Sequence, residues 1–418
     1  MKFEKHVLDA INKLEKKNHA AYAAAWCVAE ATNGGDPKDW NIITDAPFDE
    51  LIEIFDEAED VDEESEILRI CFDIESKDSE GDVLICDIAS YKGDPSDEVA
   101  QYGFTVLAVA ENPERERIDP ESGFDDINAK VVRTIGSPDN VFKEDPYMML
   151  EALSIASHVG FDLDRELFQA IADNRELLLH LDAETLRDEI ERILTGKFTG
   201  KALNMMAATG LITLIYGERN VKKMSAREQR DFLTLCKNID KTMPIPLRRL
   251  GLIYDVLATK KAERAIQEFG FDPESERLLI SGIRYSADIA TLNNTSAIKE
   301  FIYDHGMEEY DFIHDLSKAT RIVYDLDPLK IHTRNSLLKG IMERREAIFV
   351  KDLCIDENDV MDAGITDDPS EAMKLLDMTM TKVHDDPTKN NKDELLKLAS
   401  KYKKHPLRGK TAKYDWIR

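Results

Sequence analysis

The chain has 418 residues, 43% of them hydrophobic, and a formal net charge of −28. That length holds roughly two to four domains, no apolar run approaches the ~20 residues of a membrane span, and the opening Met1-Lys2-Phe3-Glu4-Lys5-His6 leads into no apolar stretch of the secretory-signal kind. Five scattered cysteines (Cys27, Cys71, Cys86, Cys236 and Cys354), without a Cys-x-x-Cys spacing, argue against a disulfide framework or zinc site and predict reduced, mostly buried thiols in a cytoplasmic protein.

In chain order, Phe3, Val7, Ile11 and Leu14 recur at helical spacing and predict an amphipathic helix over residues 2–17. Apolar runs of strand length follow at Ala21–Val28, Trp40–Ile43, Leu68–Ile74, Val83–Ala89 and Phe104–Val109. A helix is predicted over Ala46–Phe55, with Asp45 or Pro47 near its start. Gly34-Gly35-Asp36 lacks the Lys-Ser/Thr of a phosphate-binding loop and reads as a turn. The first ~118 residues thus form an α/β unit. Beyond about residue 144, apolar positions at three- and four-residue steps predict helices almost to the end. No internal repeat or low-complexity segment stands out.

The charge is uneven. From Asp45 to Asp82 there are 17 acidic residues against two basic ones, Arg69 and Lys77. From Lys389 to Arg418 there are ten Lys or Arg against three acids, with Tyr402, Tyr414 and Trp416 interleaved. The acidic run is either a solvated face or a surface for a basic protein partner. It repels triphosphates and RNA backbones at long range. The basic tail is either a solubilising or disordered terminus or a place where RNA phosphates and bases are met, with Lys401, Lys403, Lys404, Arg408, Lys410 and Lys413 as the candidate contacts.

Several motifs stand in a telling order. Ile118-Asp119-Pro120, Gly123-Phe124-Asp125-Asp126-Ile127, Val131-Val132-Arg133-Thr134-Ile135-Gly136 and Phe142-Lys143-Glu144-Asp145-Pro146 follow one another. The series resembles the run "IDPFGGLEDL…IIRTVG…FREDPLRMLRA" of the class II tRNA nucleotidyltransferases (CCA-adding enzymes) and bacterial poly(A) polymerases. The likeness continues through His158-Val159-Gly160-Phe161, Glu184-Thr185-Leu186-Arg187, Thr209-Gly210-Leu211 and Asn358-Asp359-Val360-Met361, and is weak between 215 and 350. It implies an α/β nucleotidyltransferase head followed by all-α neck, body and tail domains, which we place at 1–136, 137–200, 201–335 and 336–418. In that family the neck recognises the incoming base, and body and tail hold the tRNA acceptor arm.

The resemblance also implies what has changed. Nucleotidyl transfer needs magnesium held by carboxylates and cations or amides on the triphosphate. The family's Gly-Gly-x-Val-Arg-Asp falls on Ala25-Trp26 and Ala29-Glu30, and its Asp-x-Asp on Asp39-Trp40-Asn41. Asp87 stands for the third carboxylate. Asn41 is a neutral, weak ligand for a hard cation, and Trp26 puts a large side chain where backbone would approach phosphate. The family's Arg-Arg-Asp element becomes Gln101-Tyr102-Gly103, and its base-reading helix, entered at Asp145, carries Met148 and Glu151 in place of two arginines. Trp26 is expected to fill the cleft beside Asp39.

Lys222-Lys223, Arg227, Arg230 and Arg248-Arg249 are modest basic clusters on helices, solvated or touching RNA. His314-Asp315 lacks the partners of a phosphohydrolase metal site and is expected at the surface or at a helix cap. The leading reading is a degenerate nucleotidyltransferase-like protein, more a pseudoenzyme than an enzyme. It would bind tRNA or other RNA through body and tail, or a protein through the acidic head, and need no cofactor. The alternatives are a divergent active enzyme adding CCA or A residues, with Mg2+ on Asp39 and Asp87, and a structural or regulatory acidic protein.

Overall fold

The computed structural model describes residues 1–74 and 82–405 and divides into two compact units, Met1–Arg249 with Glu268–Gly270, and Leu250–Gln267 with Phe271 onward. The first unit opens with helix α1 (Lys5–Glu15), whose Val7, Ala10, Ile11 and Leu14 are buried. Strand β1 (Ala21–Ala24), helix α2 (Trp26–Thr32), β2 (Asp39–Thr44), α3 (Phe48–Ile54), β3 (Asp60–Asp62), β4 (Ile67–Ile74), β5 (Asp82–Ser90), α4 (Pro95–Ala100) and β6 (Ala110–Glu111) follow. They build one six-stranded sheet in the order β3-β4-β5-β2-β1-β6, with β2 and β5 parallel and the other pairs antiparallel.

Period-two alternation sorts the two faces of this sheet. Trp40, Ile42, Ile70, Leu84, Cys86 and Ile88 are buried on one face. There the Trp40 ring stacks on Phe3 at 5.8 Å, its Nε1 donates to the Pro37 carbonyl, and Phe72 stacks on His6 of α1. Asp39, Asn41, Asp87 and Arg69 belong to the other face.

Two expected strands are corrected. The run Ala21–Val28 is a strand only as far as Ala24. Ala25 then takes φ 61°, ψ −129°, a backbone region side-chain-bearing residues rarely enter, and helix α2 begins at Trp26. An apolar run alone does not separate a buried strand from a buried helix. Phe104–Val109 is a turn whose Leu107 and Ala108 amides donate back to the Phe104 carbonyl, and its side chains are all buried within the core. The strand it was expected to form comes afterwards, at β6.

Helices α5 (Gly123–Ala129), α6 (Pro138–Glu144), α7 (Met148–Val159), α8 (Arg165–Asn174), α9 (Ala183–Thr195) and α10 (Thr199–Thr209) continue the unit, with α7 packed on α9 and α10. A two-stranded parallel pairing joins Val131–Val132 to Asp162–Leu163. Gly200 lets α10 approach helix Ala226–Asn238, since a Cβ there would lie 1.8 Å from the Cys236 carbonyl oxygen.

The second unit is helical. Residues of Pro273–Ile289, Thr295–His305, Met307–Val323 and Leu329–Glu343 share a core around Ile298, Ile302, Tyr310 and Ile341. A second core joins Pro369–Asp385 to Lys392–Lys404. The fully buried Lys299 ammonium is held by Glu346 at 2.7 Å. All five cysteines are free, with Cys27, Cys86 and Cys236 buried. Among the described residues no helix is long and apolar enough to cross a membrane.

Arg249, grouped with the basic clusters in the sequence, is neither solvated nor open to RNA. It is 2% exposed, and its guanidinium donates to the carbonyls of Leu194, Gly196 and Thr242 and to Thr199 Oγ1 at 2.6–3.0 Å, tying the end of α9 to the start of α10. Removing those donors strands buried acceptors. Arg249→Met is therefore expected to cost about 2–4 kcal/mol, read as a lower urea midpoint at unchanged m-value.

Candidate functional site

Strand register alone assembles a polar row on the open face of the sheet. Ala24 of β1 lies opposite Asn41 of β2, Asn41 opposite Asp87 of β5, and Asp87 opposite Arg69 of β4. Asp39, two residues before Asn41, points to the same face and is exposed. Arg69 forks onto Asp87, Nε to Oδ1 and Nη2 to Oδ2, both at 2.7 Å. Its guanidinium is pushed above its ordinary range by that hydrogen-bonded carboxylate. Asp39 keeps solvent access but is raised above the usual carboxylate range, first by the protein displacing water around it and then by the Asp87 charge, with Arg69 opposing.

The positions where the resemblance sets triphosphate contacts lie close by. Ala25 is fully buried and holds its glycine-like backbone. Trp26 opens α2 and meets the His158 ring of α7 edge-on, centroids 5.4 Å apart. Ala29 is buried within α2. Glu30, on the same helix, takes the Lys197 ammonium at 2.5 Å, and Asn33 donates to the Val159 carbonyl at 3.2 Å. Three side chains of one short stretch therefore reach the α7–α10 helices.

The remaining positions, Gln101 to Gly103 of the expected head and Asp145 to Glu151 of the expected neck, are also held by the chain itself. Gln101 is exposed and Tyr102 packs against the core around Tyr22, Tyr91 and Ile118. Gly103, at φ +75°, lies under Met148, whose terminal methyl would be 2.4 Å from any Cβ placed there. Asp145 is exposed and accepts from the Tyr147 amide. Glu151 is paired with Arg192 at 3.2 Å, and Arg192 also reaches Glu189 at 3.3 Å. Burial raises the Glu151 carboxyl above its ordinary range.

Magnesium is the ion the resemblance implies, and the donor set does not suit a pair of such ions. Asn41 is a carboxamide, and both oxygens of Asp87 are already committed to Arg69. Only Asp39 remains as an uncommitted carboxylate in that row. Among the described residues no three His, Cys, Asp or Glu side chains converge as a metal cluster. His314 sits in the middle of helix Met307–Val323, half-buried and stacked on Tyr310, so the expectation of a surface or capping position is corrected.

Sequence reasoning did not assign Arg69, Lys197, Arg192 or His158 to this site. Only Arg69 carried a signal, as a lone arginine on a strand within an acidic run. In the tail, Lys401 and Lys404 are exposed, while Lys403 is paired with Glu371. Tyr402, one of the aromatic residues of the tail that could have met RNA bases, is 5% exposed within a helical core. Arg408, Lys410, Lys413, Tyr414 and Trp416 lie outside the described residues.

A sheet of this topology, carrying a polar row on one face and followed by helices, defines a nucleotidyltransferase-type head on a helical body. Residues 160–218 match the family described as "Probable RNA and SrmB- binding site of polymerase A". The CCA-adding enzyme of Bacillus licheniformis is 30% identical over 243 residues, 56% of this chain and 61% of that protein. The CCA-adding enzyme of Bacillus velezensis is 30% identical over 50% of this chain and 55% of its own length. The matched part thus spans only about half to three-fifths of those relatives. The Bacillus stearothermophilus CCA-adding enzyme in complex with CTP shares the fold over 95% of this chain and 97% of its own, with TM-score 0.73 at 20% identity. A CCA-adding enzyme complexed with ATP superposes with TM-score 0.63 at 16% identity. Over the parts that these matches cover, the chain is similar to the class II tRNA nucleotidyltransferases and poly(A) polymerases.

His158 offers a direct check on the Trp26 contact. Burial lowers its imidazole below the ordinary 6.5, so the folded protein binds this proton less readily than the unfolded chain. The stability this contributes is complete above 6.5 and is lost as pH falls through the folded value. The melting-temperature advantage of the wild type over His158→Gln should shrink as pH is lowered from about 7.5 to about 5.5, and proton NMR should show the His158 ring titrating below an exposed histidine.

Proposed function

We propose that this chain is a nucleotidyltransferase-fold protein that has given up nucleotide addition and acts as an RNA-binding module, with tRNA as the favoured RNA class. The observation that carries the reading is the set of contacts that the head makes with α7–α10. Trp26 on His158, Glu30 on Lys197 and Met148 on Gly103 use the same positions at which the family's nucleotide contacts would fall. A triphosphate entering there would displace a packed ring and break an ion pair, and it would find no arginine fork in exchange.

Binding of RNA is supported by the match of residues 160–218 to the polymerase RNA-binding family and by the similarity to CCA-adding enzymes. The exposed Lys401 and Lys404, with Arg408, Lys410 and Lys413 beyond them in sequence, are the cations best suited to phosphate contact. Free cysteines fit a reducing compartment, and we place the protein in the cytoplasm.

Two measurements test the reading. Incubated with tRNA lacking its 3′ CCA, magnesium and labelled CTP or ATP, the protein is expected to extend no RNA above background. Extension that Asp39→Ala abolishes would overturn the loss of activity. RNA affinity followed against salt is expected to fall as salt rises, and Lys401→Glu/Lys404→Glu should flatten the log–log slope by about 1 for each phosphate no longer neutralised. A chain ending at His405 is the proper test of the remaining cations, because truncation before Lys392 would remove the buried Leu395, Ala399 and Tyr402. No binding by the full chain at low salt would sink the RNA reading.

A further inference from the structure

The mismatch between the donor row and a magnesium pair traces to one side chain, Arg69. It stands directly opposite Asp87 across the β4–β5 ladder, and Asp87 stands directly opposite Asn41 across β5–β2. Its fork is planar and bidentate, with both bonds at 2.7 Å. That arrangement uses one lone pair on each carboxylate oxygen, and it brings a full positive charge that does not titrate. Asp39 lies within the field of both Asp87 and Arg69.

The electrostatics of the row require such a group. Asp39 and Asp87 are like charges on neighbouring strands, and Glu30 adds its field to Asp39. Without a positive charge the three would repel one another on a sheet face that the opposite, buried face holds in register. A divalent ion is one remedy, and it needs several oxygen ligands around it. A guanidinium on the next strand is another, and it needs only one carboxylate. Replacing a carboxylate by Asn41 removes a ligand that the ion would need and that the guanidinium does not.

We infer that Arg69 is a built-in cation that compensates the carboxylates of this row from within, so that the head takes up neither Mg2+ nor Mn2+. The inference rests on reading Asp39, Asn41 and Asp87 as the position of a metal site, and it is independent of whether the chain binds RNA. Asn41 and Arg69 act as a pair in it. Restoring the carboxylate at 41 is insufficient while the fork still occupies Asp87.

The test uses full-length protein and Mn2+ as the probe, with free Mn2+ read by electron paramagnetic resonance and melting followed with and without MnCl2. Wild type, Asn41→Asp and Arg69→Lys are expected to leave the Mn2+ signal unchanged. Asn41→Asp/Arg69→Gln should bind Mn2+ at least about tenfold more tightly than the wild type and rise in melting temperature on its addition. Circular dichroism establishes that each variant is folded. Wild-type uptake of Mn2+ that Asp39→Asn abolishes would overturn the inference. So would Asn41→Asp binding as tightly as the folded double variant, because Arg69 would then be no barrier. Should the double variant fail to fold, the wild-type and Asn41→Asp titrations still decide. Nucleotide addition is scored separately, so a metal-free head and an inactive enzyme can fail independently.

Discussion

The pairing of β2 with β5 and of β5 with β4 fixes everything the head can present. Because side chains alternate along a strand, that register sends Asp39, Asn41, Asp87 and Arg69 to one face and Trp40, Cys86, Ile70 and Phe72 to the other. A slip of one residue would bury the charges and expose the core, so the apolar face enforces the polar row. The row therefore keeps its geometry whether or not anything binds to it. Within that row Arg69, from the adjacent strand, pairs with Asp87.

The same logic explains which motifs stayed legible. The strongest resemblance runs from Ile118 to Pro146, and its polar residues turn out to hold the fold together. Asp119 accepts from the amides of Gly123 and Phe124 at the start of α5. Asp126 takes the Thr105 hydroxyl at 2.7 Å and the Arg133 guanidinium at 2.9 Å, and Arg133 extends to Asp164. These groups bind the turn at Phe104–Val109, helix α5 and the paired segments Val131–Val132 and Asp162–Leu163 into one knot. Changing one of them leaves a buried partner unpaired, whereas Asn41 is a half-buried side chain on the open face of an interior strand. The penalty for breaking such packing contacts is felt in every folded molecule.

Much of the architecture was readable from local pattern. Strands β2, β4 and β5 announce themselves as apolar runs of strand length, and α1 by apolar residues at helical spacing. The two misassigned strands share one physical origin. Ala21–Val28 is apolar throughout and Phe104–Val109 is apolar but for Thr105, so burial alone does not choose their backbone conformation, and the glycine-like torsions of Ala25 and the turn bonds of Phe104 decide the outcome. Arg249 and Tyr402 were assigned to the solvent by residue type, yet both are buried, one because four acceptors converge on its guanidinium and the other because it closes a helical core. The partners Arg69, Lys197 and Arg192 were beyond local pattern altogether. Their roles come from residues 18, 167 and 41 positions away.

Charge separates the two ligand classes that this fold could meet. At physiological salt the field of a carboxylate is largely screened beyond about 8 Å. A nucleotide occupying the head would have to come within that distance of Asp39, Asp87 and Glu30. It would do so where the neighbouring cations, Arg69 and Lys197, are already spent on those carboxylates. The net charge of −28 is a sum over the whole chain and does not report the charge around Lys401 and Lys404. Internal ion pairing thus removes attraction for a triphosphate without touching attraction for a polyanion held by other cations.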